Sequence, residues 1–269
     1  MGVNVNEQWD MLKGGAGAVK VTSAKEYASQ NKVKILVIGG TGTGKTYLCA
    51  TAAEGDKVVI GLAEPQGMTT IRMANPEAIV FPIGWREPDH ELYEKLANGE
   101  LNRDVLGAYD LDQFAGFVQE HHAEIDAAAL DGITEAQEVI QNYFLLLSGK
   151  GHETPSLDEF QKITKRVHKY IRKLRDLPVN FLCTALQQED VLSDSNKVIK
   201  RMLIGGQRLR ERIPQMFTAV GMLGRVEGEE ESQHVAMFSG RKDCQTKPYG
   251  KLRLEQPPDF KEWVKLITE

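Results

Sequence analysis

Cysteine is scarce: only Cys49, Cys183 and Cys244 occur among 269 residues, far apart and without metal-ligand spacing. A disulfide scaffold is therefore excluded, and buried thiols in a reducing cytoplasm are expected. Proline stops at 10 residues and glycine at 25, so the composition is neither collagen-like nor that of a disordered chain. No apolar run approaches the roughly 20 residues that a membrane helix needs. The first ten residues carry neither a basic n-region nor an apolar h-region, so no secretory leader is expected. Asn6 stands where an N-myristoylation signal has Ser or Thr. The expected location is cytoplasmic, with no membrane attachment. Positive charge is in deficit, since 33 Lys and Arg against 38 Asp and Glu give a net charge of −5. That balance argues against a globally basic nucleic-acid binder and leaves room for a local basic patch. What is present, 41% hydrophobic and 26% charged residues, suits a globular protein with a sizeable core.

Residues 1–31 are polar, with a small-residue run at 14–18, and read as an N-terminal arm carrying one short helix over 23–30. Residues 32–269 read as one elaborated α/β domain. The β-branched run at 33–38 predicts a strand buried on both faces. A helix over 45–54 and a second strand over 57–62 complete a βαβ unit. Residues 79–83 predict a third strand and 111–123 a helix. The alanine-rich segment 125–130 fits either a strand ending at Asp131 or a continuation of that helix. Ser156 and Glu159 form a capping box that opens a helix reaching Arg175. Leu157, Phe160, Ile163, Val167, Ile171 and Leu174 make its apolar stripe. A strand over 179–184, a polar stretch over 187–213 and a hairpin (217–223 with 235–238) follow. The hairpin tip, 227–231, is acidic. A short strand-like segment at 252–254 and a helix over 260–267 end the chain.

The densest chemical signal is Gly39-Gly40-Thr41-Gly42-Thr43-Gly44-Lys45-Thr46, which fits G-x-x-x-x-G-K-[ST] between a strand and a helix. Glycines let several backbone N–H groups turn inward around a phosphate, and the helix N-terminus adds donors and a positive dipole end. Lys45 would neutralise the β- and γ-phosphates, and the Thr46 hydroxyl would bind Mg²⁺. Gly40, Thr41, Gly42, Thr43, Gly44, Lys45, Thr46 and the adjoining Tyr47 are thus the candidate ATP-binding residues. The bland alternative is a tight Gly-rich turn. Hydrolysis also needs carboxylates, one for the metal shell and one to orient or deprotonate water. Strand C-termini point them into the same crevice. Glu64 closes the second strand and Asp131 the uncertain one, with Asp126 and Glu135 as fallbacks.

The order of this loop, Leu62-Ala63-Glu64, Leu130-Asp131-Gly132-Ile133-Thr134 and Phe181-Leu182-Cys183-Thr184-Ala185-Leu186-Gln187 resembles RecA-like ATPases. The chain is similar to compact phage-type AAA/RecA-like proteins, including recombinase-like ATPases implicated in single-strand DNA annealing. The resemblance runs from about Val33 to the end and takes in 205–217 and 247–252. It implies a RecA-like P-loop NTPase core: a mostly parallel central sheet flanked by helices, with a C-terminal β-hairpin and terminal helix. It implies an Mg²⁺-dependent ATPase that forms a ring or filament, acts in DNA recombination, replication or annealing, and resides in the host cytoplasm if phage-encoded. Glu64 would activate water, Asp131 would hold the metal shell with Thr46, and Thr184 and Gln187 would sense the γ-phosphate. Lys247, with Arg241 or Lys242, would reach a neighbouring subunit's nucleotide.

Two segments run against the acidic average. Lys162, Lys165, Arg166, Lys169, Arg172, Lys173 and Arg175 lie on the long helix, where a solvated charged face is the plain reading. Lys197, Lys200, Arg201, Arg208, Arg210 and Arg212 follow the sensor strand, where RecA-like proteins contact single-stranded DNA. That second cluster is the DNA candidate, with Lys197, Lys200, Arg201, Arg208 and Arg210 as contacts and salt-sensitive binding expected. His121-His122 reads as surface, and 148–152 as a connector. A nucleotide-gated assembly protein with negligible hydrolysis and a P-loop kinase share the same loop and stay open as alternatives.

Overall fold

Six residues that leave no polar face become β1 (Lys34–Gly39), every one of them buried. The computed structural model describes residues 32–85, 90–150, 153–191, 198–227, 232–238, 243–252 and 254–269. β1 alternates in two directions: Leu36 and Ile38 face one hydrophobic cluster, Ile35 and Val37 the other. Parallel neighbours flank it on both sides. They are β5 (Asn180–Val191) and β7 (Ala219–Glu227). Beyond β5 come β4 (Ala127–Asp131), β2 (Val58–Leu62) and β3 (Ile79–Pro82), also parallel. On the other side, β8 (Ser232–Met237) and β9 (Glu255–Gln256) add antiparallel pairings. The order is β3-β2-β4-β5-β1-β7-β8-β9, with β6 (Val198–Met202) paired antiparallel to the far half of β5.

Helices cover both faces, as a buried parallel sheet requires. On one face lie α1 (Lys45–Ala50), α2 (Gly67–Ala74) and α8 (Phe260–Thr268), through Leu48, Ile71, Phe260 and Trp263. On the other lie α4 (Arg103–Glu120), α5 (Ile133–Leu147), α6 (Leu157–Arg175) and α7 (Gln207–Arg212). Phe114, Ile140, Val167 and Leu209 are among the residues they bury there. α3 (His90–Ala97) links β3 to α4.

Several sequence expectations shift for local reasons. The alanine-rich segment is a strand, all five of its residues buried between β2 and β5, so neighbours on both sides override alanine's helix preference. The first helix ends at Ala50 rather than 54, where the Asn75 side-chain amide donates to Ala50 O and Gly55 O. The helix expected over 111–123 starts at Arg103, because Asn102 accepts from the Asp104 N–H at 2.8 Å as an N-cap. The polar stretch 187–213 contains the end of β5, all of β6 and α7. The strand expected at 252–254 is instead the short β9 at 255–256. Cys49 and Cys183 are buried and Cys244 is half-buried, all as free thiols. The predicted helix over 23–30, Lys197, the acidic tip at 228–231, Arg241 and Lys242 lie outside the described residues. Among the described residues no helix is long and apolar enough to cross a membrane.

Candidate active site

The loop after β1 enters α1 through two glycines with positive φ, Gly42 at 74° and Gly44 at 92°, a region where a side chain is strained. The Thr43 hydroxyl donates to Gly40 O at 2.9 Å and ties the loop to itself. The Lys45 ammonium lies across the loop, donating to Gly39 O at 3.0 Å and Gly40 O at 2.7 Å. Burial lowers its pKa, and the nearby Asp131, Glu64 and Glu135 carboxyls oppose that shift.

Strand order brings the next residues together. β5 lies between β1 and β4, with Val37 in register with Thr184 and Cys183 with Leu130. Thr184, with no exposed surface, donates to one Asp131 oxygen at 2.5 Å, and Thr46 at the start of α1 donates to the other at 2.6 Å. One carboxylate thus bridges two strands and a helix. Burial raises the Asp131 pKa, while the two hydroxyl donors and the Lys45 ammonium pull it down. The peptide bond from Asp131 to Gly132 is cis.

Glu64 arrives from the other side. β2 pairs with β4 so that Leu62 matches Asp131, and the Ala63 N–H donates to Asp131 O at 2.8 Å. Glu64 is therefore held one residue beyond this pairing, exposed at the mouth. Gly67 permits the close approach, since a Cβ there would lie 2.8 Å from Leu62 Cδ1 and 3.1 Å from Thr46 Cγ2. Glu135, on the first turn of α5, shares a side-chain hydrogen bond with Glu64. Burial, and then that neighbour, push the Glu135 carboxyl up to about 7.

These groups surround one cavity of about 440 Å³. Thr41, Gly42, Gly44, Lys45, Thr46, Tyr47, Glu64, Asp131 and Thr184 all line it. Gln187 and Lys247 are not among its lining residues. Gln187 pairs with Met202 at the start of the β5–β6 ribbon. Lys247 donates to Phe217 O at 2.6 Å, beside the N-terminal end of β7 and away from the loop. Lys200 pairs with Glu189 at 3.8 Å, and Arg201 and Arg210 with Asp190 at 3.6 and 2.8 Å. Arg208 is exposed on α7.

The lining also includes residues the sequence did not single out: Gln66, Thr70 and His234. His234 stands on β8, and its Nδ1 is 2.8 Å from Thr43 O, so the C-terminal hairpin touches the loop directly. Glu135 had one readable sign, its place four residues after Asp131. His234 had none, because only strand pairing brings it there. A hydroxyl and a carboxylate oxygen at the cavity floor form a hard, all-oxygen donor pair that fits Mg²⁺.

No curated protein sequence matches the chain. Among solved structures, it is similar to a KaiC-like protein, PH0186, from Pyrococcus horikoshii OT3 (19% identity, TM-score 0.38), covering 80% of this chain and 82% of that one. It is similar to an ATPase from the type III secretion system of pathogenic bacteria (12% identity, TM-score 0.40), covering 71% of this chain and 51% of that one. A third is the flagellar accessory protein FlaH from Methanocaldococcus jannaschii (14% identity, TM-score 0.33), covering 81% of this chain and 84% of that one. The mostly parallel sheet with its glycine loop after β1 is an α/β P-loop core. Residues 31–248 match AAA_24, an AAA domain family, and the chain belongs to that family of P-loop ATPases.

Proposed function

We propose that this chain hydrolyses the β–γ bond of ATP with Glu64 as general base. The observation that carries the proposal is the convergence of Lys45, the Thr46–Asp131–Thr184 bridge and the Glu64–Glu135 pair on one cavity. Lys45 releases the loop carbonyls and pairs with the phosphate tail. Thr46 and Asp131 would hold Mg²⁺, which supplies charge neutralisation at the phosphate oxygens when bound. Water attacks the γ-phosphorus, the bond to the bridging oxygen breaks, and the water's proton passes to Glu64. Thr184 positions Asp131, and Gln187, three residues further along β5, would carry the sensing role onward.

The finer reading is an oligomeric ATPase, ring or filament, acting in phage-type DNA recombination, replication or single-strand annealing. In such an assembly Lys247 would reach a neighbour's nucleotide. The order of the four motifs supports that use. Of its sequence-derived DNA candidates, Lys200, Arg201 and Arg210 pair with Glu189 and Asp190 and Lys197 lies outside the described residues, which leaves the exposed Arg208 as the contact carried forward.

Steady-state phosphate release tests the enzyme. Wild type turns over, Lys45→Ala does not, and Glu64→Gln binds ATP but turns over at least about tenfold more slowly. Wild-type release equal to that of Lys45→Ala, with and without single-stranded DNA, would leave a nucleotide-gated binding protein. Label from the γ-phosphate on an acceptor would identify a kinase.

A further inference from the structure

A cluster of unpaired positive charge among the described residues lies away from the segment the sequence favoured. On α6, Lys162 pairs with Asp158 at 2.6 Å, Lys173 with Asp112 at 3.0 Å and Arg175 with Asp176 at 2.5 Å. Lys165, Arg166, Lys169 and Arg172 have no acidic partner among the described residues, and all four are exposed. Lys165, Lys169 and Arg172 follow spacings of four and three, on the face opposite buried Ile163, Val167, Ile171 and Leu174. The β5–β6 ribbon is different, because Glu189 and Asp190 engage Lys200, Arg201 and Arg210 there.

α7 extends the same face. Its N-cap Gly206 packs on α6, where a Cβ would meet Phe160 at 3.0 Å and Thr164 at 3.8 Å. Arg208 and Arg212 are exposed on α7 without acidic partners among the described residues. Burial first, and then Arg172, Arg212 and Arg208, lower the pKa of His168 on the facing side of α6, as expected where these cations converge. On the other flank, a cavity of about 550 Å³ separates α6 from α4. Leu111, Ile140, Tyr143 and Tyr170 supply its apolar lining beside Arg166 and Lys169, while Asp112 and Asp176, which also line it, are paired with Lys173 and Arg175. The Tyr170 hydroxyl donates to Leu111 O and fixes that ring.

We propose that the outward face of α6, joined by Arg208 and Arg212 of α7, docks the backbone of single-stranded nucleic acid, with the α4–α6 groove beside it receiving bases. Six unpaired cations complement a polyanion, and an apolar groove at their edge complements flat, apolar bases. Four of the six are arginines, whose planar fork suits phosphate oxygens. The surface is separate from the ATP cavity, so it rests on the nucleic-acid part of the proposed function and not on hydrolysis.

The test is fluorescence anisotropy of labelled oligo-dT with the full chain in the absence of nucleotide, between about 50 and about 200 mM salt. Lys165→Glu/Lys169→Glu/Arg172→Glu should weaken binding at least about tenfold and flatten the log–log salt slope by about 2, near 0.7 for each lost phosphate contact. Lys200→Glu/Arg201→Glu should change binding by less than about threefold, because those cations already face acidic partners. Gln at the same three α6 positions, with circular dichroism, guards against a folding defect and should give the same slope change. Wild-type affinity in both α6 variants, or no oligonucleotide binding by wild type, overturns the proposal. Binding of poly-glutamate in place of oligo-dT also overturns it, in favour of an acidic protein partner. A wild type that binds oligo-dT but releases no phosphate sinks the enzyme reading and leaves this surface intact.

Discussion

Asp131 accepts two hydroxyl donors from elements that are not neighbours in sequence, and Glu135 faces Glu64 across the same cavity. The second pair makes a residue-scale prediction. Glu135 titrates at about 7 in the native state, against an ordinary value of 4.5. Its raised pKa means that the protonated form favours folding. The stability it contributes is complete below about 4.5 and is lost as pH rises through 7. Glu135→Gln stays neutral throughout, so its melting midpoint relative to wild type should climb between about pH 5 and about pH 8. A flat difference in thermal melts over that window would show that Glu135 is not raised. At this scale, legibility followed locality. Gly39 to Thr46 could be read because their chemistry depends on adjacent spacing. Glu64 and Asp131 could be placed at strand ends. Thr70 and His234 could not, since strand order alone carries them to the cavity.

Element by element, amphipathic stripes were legible and tertiary rescue was not. α6 runs from the predicted cap, with the Ser156 N–H donating to Glu159 at 2.8 Å. β4 was ambiguous because three alanines carry no pattern, and its identity comes from β2 and β5. The far half of β5 and β6 is half-exposed and polar, so no buried alternation marks it. α8 was expected over 260–267 and runs from Phe260 to Thr268, and its packing yields a stability prediction. Trp263 is fully buried, meets Phe238 edge-on at 4.8 Å, and donates its indole N–H to Pro257 O at 3.0 Å. Trp263→Ala should cost about 3–5 kcal/mol in denaturant unfolding, from lost burial and an unfilled cavity. A loss below about 1 kcal/mol would mean that α8 is peripheral to the folded core.

For the whole molecule, nucleotide binding and stability are linked. The cavity draws on the loops after β1 and β2 and on α1, α2, β4, α5, β5 and β8, so it exists only when the sheet is assembled. ATP with Mg²⁺ at about 100 times Kd should therefore add about 2.7 kcal/mol of stability, a rise in Tm of roughly 5–10 °C for a chain of this size. Lys45→Ala should lose most of that rise in a melt with and without nucleotide. An equal rise in both proteins would remove Lys45 from phosphate binding. The α/β class of the sheet could be anticipated from strand–loop–helix order. The side-by-side placement of β5 between β1 and β4 was not legible, because a parallel crossover does not declare its neighbour.

That placement has a mechanical corollary. β5 is one unbroken strand of 12 residues, and it holds Thr184 near its middle and Val191 at its tip. The seven steps between them span roughly 23 Å of stiff, hydrogen-bonded backbone at about 3.3 Å each. The β6 ribbon begins only three residues past Thr184, at Gln187, and is held in turn by Asp243 and Gln245, so one continuous hydrogen-bonded backbone joins the carboxylate to the ribbon and to the segment beyond it.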